Sequence, residues 1–254
     1  MTSTQSISPE LAAHWLARWD TQQELYIADR EERFTVIGDV VAHVVADRPA
    51  PRVLDLGCGP ASLSTRLARR LPSARFVGVD NDPLLLALAR ATAPESVRFA
   101  ETNLADPSWS NSLGLDGELD AAVSTTALHW LAEPDLSRLY RDVANLLRPG
   151  GVLVNGDHMA ESQPDIARIQ QVVKDGRAAR RGVQDNEDWA AWWVAAEADE
   201  VLAPLVAQRR SRGVRDHGTG VGLQGHVELL RQAGFREVAT VWQSGDDHVL
   251  VAVR

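Results

Sequence analysis

Residues 53–59 read Val-Leu-Asp-Leu-Gly-Cys-Gly, and residues 77–80 read Val-Gly-Val-Asp. The first stretch is an apolar strand that runs into a Gly-x-Gly turn, where the missing Cβ atoms let the backbone approach a ligand closely. The carboxylate of Asp80, at the end of the next strand, can then accept hydrogen bonds from a pair of ribose hydroxyls. The spacing therefore predicts a site for an adenosine-containing cofactor between the first two parallel strands.

Strands and helices alternate along residues 52–155. The strand segments are mostly apolar rather than alternating, as is typical of parallel strands that are covered on both faces. Short links between strand and helix favour right-handed crossovers and an open, doubly wound sheet. The pattern predicts strands at 52–56, 75–80, 97–101, 119–124 and 152–156, and helices at 61–71, 83–93 and 135–147.

The end of the chain follows a different pattern. A helix over 226–233 is closed by Gly234, a residue that suits a helix C-terminus. Strands at 236–243 and 248–253 follow, joined by a short turn of the kind that hairpins use. We therefore expect an α/β fold with a doubly wound, mostly parallel, seven-stranded Rossmann-like sheet that ends in an antiparallel hairpin.

Two regions lie outside this alternation. Residues 8–46 have a helical pattern of apolar positions, on which Tyr26, Arg30 and Arg33 share one face by spacing. Residues 160–224 interrupt the strands with helical segments rich in tryptophan. We expect an N-terminal helical cap at 1–50, a cofactor-binding core at 51–159 and 225–254, and a helical lid insertion at 160–224.

Composition narrows the function further. The 254 residues carry a net charge of −9, which argues against nucleic-acid partners, because these need clustered Lys and Arg. Lys174 is the only lysine, which we attribute to genomic base composition. There is no secretion-signal pattern and no apolar run of the roughly 20 residues that a membrane span needs. The single cysteine, Cys58, excludes an internal disulfide. We expect a cytoplasmic protein, a monomer or a homodimer, with no membrane partner.

Three details weigh against a nicotinamide cofactor. A dinucleotide loop needs Gly or Ala three residues after its second glycine, where this chain has Ser62. Asp55, two residues before the first glycine, would repel a pyrophosphate but can face a cationic ligand. The terminal hairpin is not a dehydrogenase feature either. An NAD(P)-dependent oxidoreductase stays the first alternative.

Five motifs follow one another along the chain: Val53-Leu-Asp-Leu-Gly-Cys-Gly-Pro60, Asp80, Asn103-Leu104, Leu119-Asp-Ala-Ala-Val-Ser-Thr-Thr-Ala-Leu-His-Trp130 and Leu147-Arg-Pro-Gly-Gly151. With them the chain resembles the class I S-adenosylmethionine (SAM) dependent methyltransferases, over roughly 30–155 and 220–254. Ala-Leu-His-Trp at 127–130 and Arg33 look most like the small-molecule branch of trans-aconitate methyltransferases.

The resemblance implies that the cofactor is S-adenosyl-L-methionine, which leaves as S-adenosyl-L-homocysteine (SAH). The family usually has a third glycine where this chain has Ala61. If that residue adopts a positive φ, alanine costs about 1 kcal/mol there. The cofactor contacts that the resemblance implies are Arg33, Asp55, Gly57, Cys58, Gly59, Pro60, Asp80, Asn81, Asn103, Leu104, Ser124 and His129.

Methyl transfer from a sulfonium is an in-line displacement that needs positioning and desolvation. A base is needed only if the acceptor carries a proton at neutral pH. Ligands of open α/β sheets bind at the carboxyl ends of the strands, which selects His129 and His158, after the fourth and fifth strands, as candidate catalytic residues. The other histidines lack ligand spacing, so no metal is expected.

The acceptor side is predicted from the cap and the lid. Adjacent tryptophans on a helix cannot both face one core, so Trp192 or Trp193 is expected to point to a cavity or interface. Arg30 and Arg33 can bind the methionine carboxylate or an acidic substrate. The turn Arg215-Asp-His217 is a candidate hinge. The predicted substrate contacts are Tyr26, Arg30, Trp130, His158, Trp189, Trp193 and His217.

These patterns together predict a SAM-dependent methyltransferase that acts on an oxygen or nitrogen atom of a small molecule, anionic or aromatic. The second alternative, beside the oxidoreductase, is a protein that binds SAM without transferring its methyl group. The sequence leaves the identity of the acceptor open.

Overall fold

A single seven-stranded sheet organises the chain. A computed structural model describes residues 7–115, 118–213 and 220–254. The strands are β1 Arg52–Leu56, β2 Arg75–Asp80, β3 Val97–Glu101, β4 Leu119–Thr125, β5 Leu147–His158, β6 Glu237–Ser244 and β7 Asp247–Val253. Their order is β3-β2-β1-β4-β5-β7-β6; β1 to β5 are parallel, and β7 runs antiparallel to β5 and β6. The predicted doubly wound sheet with a terminal hairpin is confirmed.

Helices cover both faces of this sheet. The α-helices in the described ranges are α1 Pro9–Tyr26, α2 Arg30–Val44, α3 Ser62–Arg70, α4 Pro83–Thr92, α5 Glu133–Leu146, α6 Pro164–Arg181, α7 Trp189–Ala198, α8 Ala203–Ser211 and α9 Leu223–Gln232. One core packs α2 and α3 on one face of the sheet, and a second packs α5 and α9 on the other. A third core, away from the sheet, joins α1, α4, α7 and α8.

The N-terminal segment is two helices rather than one continuous helix. Asp29 has φ 68° and ψ 37°, a left-handed conformation that ends the run between α1 and α2. Aspartate tolerates this region better than most residues. The expectation that Tyr26, Arg30 and Arg33 share one helical face is therefore wrong, because Tyr26 ends α1 and Arg30 begins α2.

Strand β5 is longer than the predicted 152–156, since it begins at Leu147. Its pairing with β4 shifts register after Leu119, which absorbs Pro149-Gly150. Gly150 has φ 77°, and a Cβ on Gly151 would lie 2.9 Å from the carbonyl oxygen of Arg148. The two glycines thus let β5 start five residues earlier than predicted, at Leu147 rather than at 152.

Helix α6 differs from the other helices because none of its residues is buried. Ion pairs, together with the Arg177 guanidinium 5.2 Å from the Trp242 ring, hold it beside the α1–α2 junction and the β6–β7 hairpin. None of the helices in the described ranges has the length and apolar character that a bilayer crossing demands.

Candidate functional site

A cavity of about 580 Å³ opens at the carboxyl ends of the central strands. Loops after β1 and β2 form one wall, and the ends of β4 and β5 form the floor. This is the point where the strand order reverses, which is where open α/β sheets bind ligands. The volume falls in the range of sites that hold small molecules.

The turn after β1 approaches the cavity as its glycines predict. Gly57 has φ 68°, and a Cβ placed on it would lie 2.3 Å from the Cβ of Ala127. Gly59 has φ 52°. Ala61 also adopts a positive φ, 64°, at the start of α3. The chain therefore bears the cost of about 1 kcal/mol that a left-handed alanine carries.

Asp80 stands at the end of β2 and lines the cavity. Its Oδ2 accepts a hydrogen bond from the backbone N–H of Gly59 at 2.8 Å, and its Oδ1 accepts one from the N–H of Asp82 at 2.9 Å. Each carboxylate oxygen can accept a second hydrogen bond. Burial, with the charge of Asp82, raises the pKa of Asp80 to about 6. The carboxylate is thus fixed in place beside the glycine turn.

Two predicted cofactor contacts stand behind the cavity wall. Asp55 is fully buried, and its Oδ2 accepts a 2.5 Å hydrogen bond from the hydroxyl of Ser64 on α3. Burial raises the pKa of Asp55 to about 7. The hydroxyl of Ser124 donates to the carbonyl of Leu56 at 2.8 Å. The structure brings neither residue to the cavity. The Asp55 carboxylate bonds to α3 instead, and the Ser124 hydroxyl bonds to β1.

Arg33 is also behind the wall. Its guanidinium donates to Asp247 Oδ1 at 2.7 Å and to Thr125 Oγ1 at 2.6 Å, and its side chain is fully buried. Thr125 lines the cavity, whereas Arg33 does not. Arg33 therefore lies directly behind the cavity lining, where its hydrogen bond orients the hydroxyl of Thr125.

His129 and Asp157 form a hydrogen-bonded pair. His129 Nδ1 lies 2.7 Å from Asp157 Oδ1, and the backbone N–H groups of His129 and His158 donate to the same carboxylate. Burial acts to raise the pKa of Asp157, but the charge and hydrogen bond of His129, with help from His158 and Arg33, hold that pKa below its usual value. The pair fixes the imidazole with Nδ1 turned toward Asp157 on β5.

His158 and Lys174 share one carboxylate. His158 Nδ1 lies 3.3 Å and Lys174 Nζ 3.5 Å from Asp246 Oδ2. Burial acts to raise the pKa of Asp246, but the hydrogen bond with His158 and the charge of Lys174 hold it at about 2. Both His158 and Lys174 line the cavity. No three His, Cys, Asp or Glu side chains in the described ranges are grouped to hold a metal ion.

Aromatic rings make up much of the outer wall. Trp193 lines the cavity beside Trp189, with ring centroids 5.8 Å apart, and the guanidinium of Arg209 lies 4.1 Å from the Trp193 ring. Its neighbour Trp192 is fully buried against Trp15 and Trp19 instead. Both tryptophans nevertheless belong to the third core, with ring centroids 5.0 Å apart, so the expectation that they cannot both face one core is wrong, although Trp193 also reaches the cavity.

Most of the predicted site residues meet in this one cavity. His217 lies outside the described residues, as does the candidate hinge at 215–217. Predicted residues that line the cavity are Tyr26, Arg30, Gly57, Cys58, Gly59, Pro60, Asp80, Asn81, Asn103, Leu104, His129, Trp130, His158, Trp189 and Trp193. Lining residues that the sequence reasoning missed include Trp19, Gln23, Ile27, Thr125, Lys174 and Arg209.

Three of these, Trp19, Gln23 and Lys174, had a signal in the sequence. Trp19, Gln23 and Tyr26 recur at helical spacing on α1, so that one lining residue indicates the other two. Lys174 stands out as the only lysine, but its place at the cavity depends on how α6 docks. Local sequence does not encode that docking.

The chain is similar in sequence to known methyltransferases. Residues 53–151 match the methyltransferase domain family. A trans-aconitate 2-methyltransferase of an Azoarcus species is 37% identical over 243 residues, which cover 90% of this chain and 89% of that enzyme. The enzyme of the same name from Methylobacterium nodulans is 37% identical over 231 residues, 85% of this chain and 83% of that one.

Solved structures support the same fold. An O-methyltransferase family protein from Burkholderia thailandensis superposes with a TM-score of 0.55 at 22% identity, covering 97% of this chain and 71% of that one. Human N-acetylserotonin methyltransferase in complex with SAM superposes with a TM-score of 0.52 at 16% identity. The match covers 93% of this chain and 56% of that longer one.

These matches confirm the predicted enzyme that uses SAM to methylate a small molecule, over the nicotinamide-dependent oxidoreductase and the non-catalytic SAM-binding protein. The relatives align along nearly the whole chain, so the family extends to the cap and the 160–224 region as well as to the sheet. The chain belongs to the class I S-adenosylmethionine-dependent methyltransferases, in the small-molecule branch that includes the trans-aconitate methyltransferases.

Proposed function

We propose that the acceptor is a small carboxylate anion and that the product is its methyl ester. One observation carries this proposal: the cations Arg30 and Lys174 line the cavity, whereas the acids that pair with them do not. Asp20, 2.6 Å from Arg30 Nη1, and Asp246 both stand outside the lining. Cations that face a cavity with their counter-ions behind them favour an anionic ligand.

The names of the relatives fit this chemistry. Trans-aconitate is a tricarboxylate, and two relatives that align with most of this chain are named for its methylation. We take trans-aconitate as the first acceptor to test.

The reaction on a carboxylate needs no base. A carboxylate oxygen attacks the methyl carbon, the carbon–sulfur bond breaks, and its electron pair returns to sulfur, leaving the neutral thioether of SAH. A cation and an anion thus combine into uncharged groups, so that a cavity that excludes water favours the transition state over the charged reactants. In this mechanism His129, held by Asp157, orients the acceptor rather than removing a proton.

We assign the cofactor to the inner half of the cavity. Asp80 would bind the ribose diol, the turn at 57–60 would face the methionine end, and Asn103 with Leu104 would flank the adenine. The N-terminal cap and the 160–224 lid would supply the acceptor side, where Trp189 and Trp193 lie. We further propose a cytoplasmic monomer or homodimer that does not bind nucleic acid, in keeping with the single cysteine and the net charge of −9.

A second candidate is methylation of the hydroxyl of an aromatic acid. The hydrogen-bonded pair of His129 and Asp157 favours it, since a fixed imidazole can remove a hydroxyl proton. The aromatic wall offers stacking for a ring.

Methyl-labelled SAM tests both candidates. We expect label on trans-aconitate in a product that mild alkali hydrolyses, as esters are, and a rate loss in His129→Asn of less than about 10-fold. Label in an alkali-stable ether of an aromatic hydroxy acid such as salicylate, with a loss of about 10²- to 10⁴-fold in His129→Asn, would support the second candidate instead. Absence of transfer to any carboxylate would overturn the proposal.

A further inference from the structure

We propose that Lys174 is a specificity-determining residue whose ammonium group binds a second carboxylate of the acceptor, one that is not methylated. The inference rests on the proposed function, in which the acceptor is an anion. It adds the residue that would distinguish a polycarboxylate from an acid with fewer charges.

The position of Lys174 is the first argument. It lines the cavity from helix α6, with its side chain about one-third exposed (31%). Its ion pair with Asp246 is 3.5 Å long, near the limit for such a contact. An ammonium group has three donors, so this one pair leaves donors for a ligand anion.

The neighbouring charges are the second argument. Asp246 is shared between Lys174 and His158, whose Nδ1 lies 3.3 Å away. One carboxylate therefore serves two groups that both face the cavity, while it stands outside the lining itself. An acceptor carboxylate that enters the cavity meets these two groups before it meets their counter-ion.

The other cations of α6 lie outside the cavity lining, and three of them have ion-pair partners elsewhere. Arg177 bonds to Asp29 and Glu32, at 3.0 and 2.9 Å. Arg181 also pairs with Asp29, and Arg168 pairs with Asp165 one turn away on its own helix. Lys174 is the cation of α6 that contributes to the lining of the cavity in the described part of the chain.

The face of α6 that carries Lys174 is the docked face. Gln170, Lys174, Arg177 and Arg181 follow one another at helical spacing. A Cβ placed on Gly245 would lie 3.0 Å from the carbonyl oxygen of Gln170 and 3.6 Å from the Cβ of Lys174, so the helix passes close over the β6–β7 turn. This contact and the Arg177 pairs fix the base of Lys174, while its flexible stem lets the ammonium turn between Asp246 and a ligand.

Binding of acceptor analogues to the enzyme–SAH complex tests the inference. Mesaconate, itaconate and glutaconate each lack a different carboxylate of trans-aconitate. For the wild type we expect each deletion to weaken binding. Lys174→Met should weaken trans-aconitate about 10- to 100-fold, the range for a charged hydrogen bond. For the one analogue that lacks the carboxylate bound by Lys174, the same substitution should change binding less than about threefold.

A smaller effect of Lys174→Met on one analogue than on trans-aconitate distinguishes a direct contact from a general effect of charge. An equal loss for all four anions would mean a general charge effect, and no loss for any of them would mean no contact; either result overturns the inference. The matched control is Arg168→Met, a cation of the same helix that points to solvent, and it should bind all four as the wild type does. A wild type that binds none of the four contradicts the proposed function itself.

A second measurement does not depend on a variant. Because Lys174 is the only lysine, an amine-directed acetylating reagent modifies this one side chain, and the α-amino group serves as an internal reference. Trans-aconitate with SAH should slow acetylation of Lys174 at least several-fold relative to SAH alone, without changing the reference. Equal rates would contradict the proposed contact.

Discussion

Burial controls the chemistry of single residues in this site, and Asp80 is the clearest case. Its pKa is raised to about 6, first by burial and then by the charge of Asp82. The ionised form accepts hydrogen bonds from ribose hydroxyls, and the protonated form loses part of that capacity. Because the pKa is raised, the change falls at mildly acidic pH rather than near pH 4.

We therefore expect the affinity for SAH to fall as pH drops below about 6. Asp80→Asn should weaken binding about 10- to 100-fold at neutral pH and remove most of this pH dependence. Calorimetry between about pH 5 and 8 checks both, with Asp47→Asn, an exposed carboxyl in the turn after α2, as the control. If Asp80→Asn retained the wild-type profile, the titration would belong to another group, such as Asp55 with its pKa of about 7.

Single residues also show what the sequence predicts and what it leaves out. Gly57 and Asp80 follow from local spacing, because a turn and a strand end fix their positions. Asp55, beside the same glycine turn, and Arg33, on α2, were predicted as cofactor contacts too, yet their side chains bond to protein groups behind the cavity lining. The contact of His129 with Asp157 spans 28 residues and that of Lys174 with Asp246 spans 72. Such pairs depend on how elements dock, which local patterns do not encode.

Among the helices, α6 depends most on ion pairs for its docking against the rest of the protein. It buries no residue, and Arg177, with a side chain that is mostly buried, bonds to Asp29 and Glu32. Arg177→Met should loosen the helix by roughly 1–2 kcal/mol, a value reduced for the exposure of Glu32. Amide exchange along α6 should then be about 5- to 30-fold faster, with the sheet unchanged. Arg168→Met is the control; if it accelerates exchange equally, intrinsic helix stability rather than docking governs α6.

The strands were easier to predict than the helices around them. The bounds of β1, β2 and β3 agree with the predicted 52–56, 75–80 and 97–101, because buried parallel strands are short apolar runs. The break between α1 and α2 was missed, since left-handed Asp29 is held by partners on α6 and not by local sequence. Elements that pack by long-range ion pairs are thus the ones that local periodicity describes least well.

In the proposed function, the whole molecule has a cofactor side and an acceptor side, and the third core lies beneath the acceptor side. Trp192 lies at its centre, fully buried, with its ring 5.3 Å from Trp15 and 5.0 Å from Trp19. This cluster ties α1 to α7, and these helices carry Trp19 and Trp189 to the cavity wall. The two sheet cores do not contain it. Stability of the acceptor side therefore rests on different contacts from stability of the sheet.

Trp192→Ala should consequently weaken acceptor binding more than it weakens SAH binding. We expect it to cost about 3–5 kcal/mol in urea unfolding followed by circular dichroism, as truncation of a buried aromatic does. Acceptor binding should be lost at a urea concentration where SAH still binds within about threefold of its wild-type affinity. Val194→Ala, an exposed position two residues along the same helix, should change stability by less than about 0.5 kcal/mol. Equal weakening of both ligands would show that the sheet loops need the tryptophan cluster for their own shape, and that the enzyme responds as one cooperative unit.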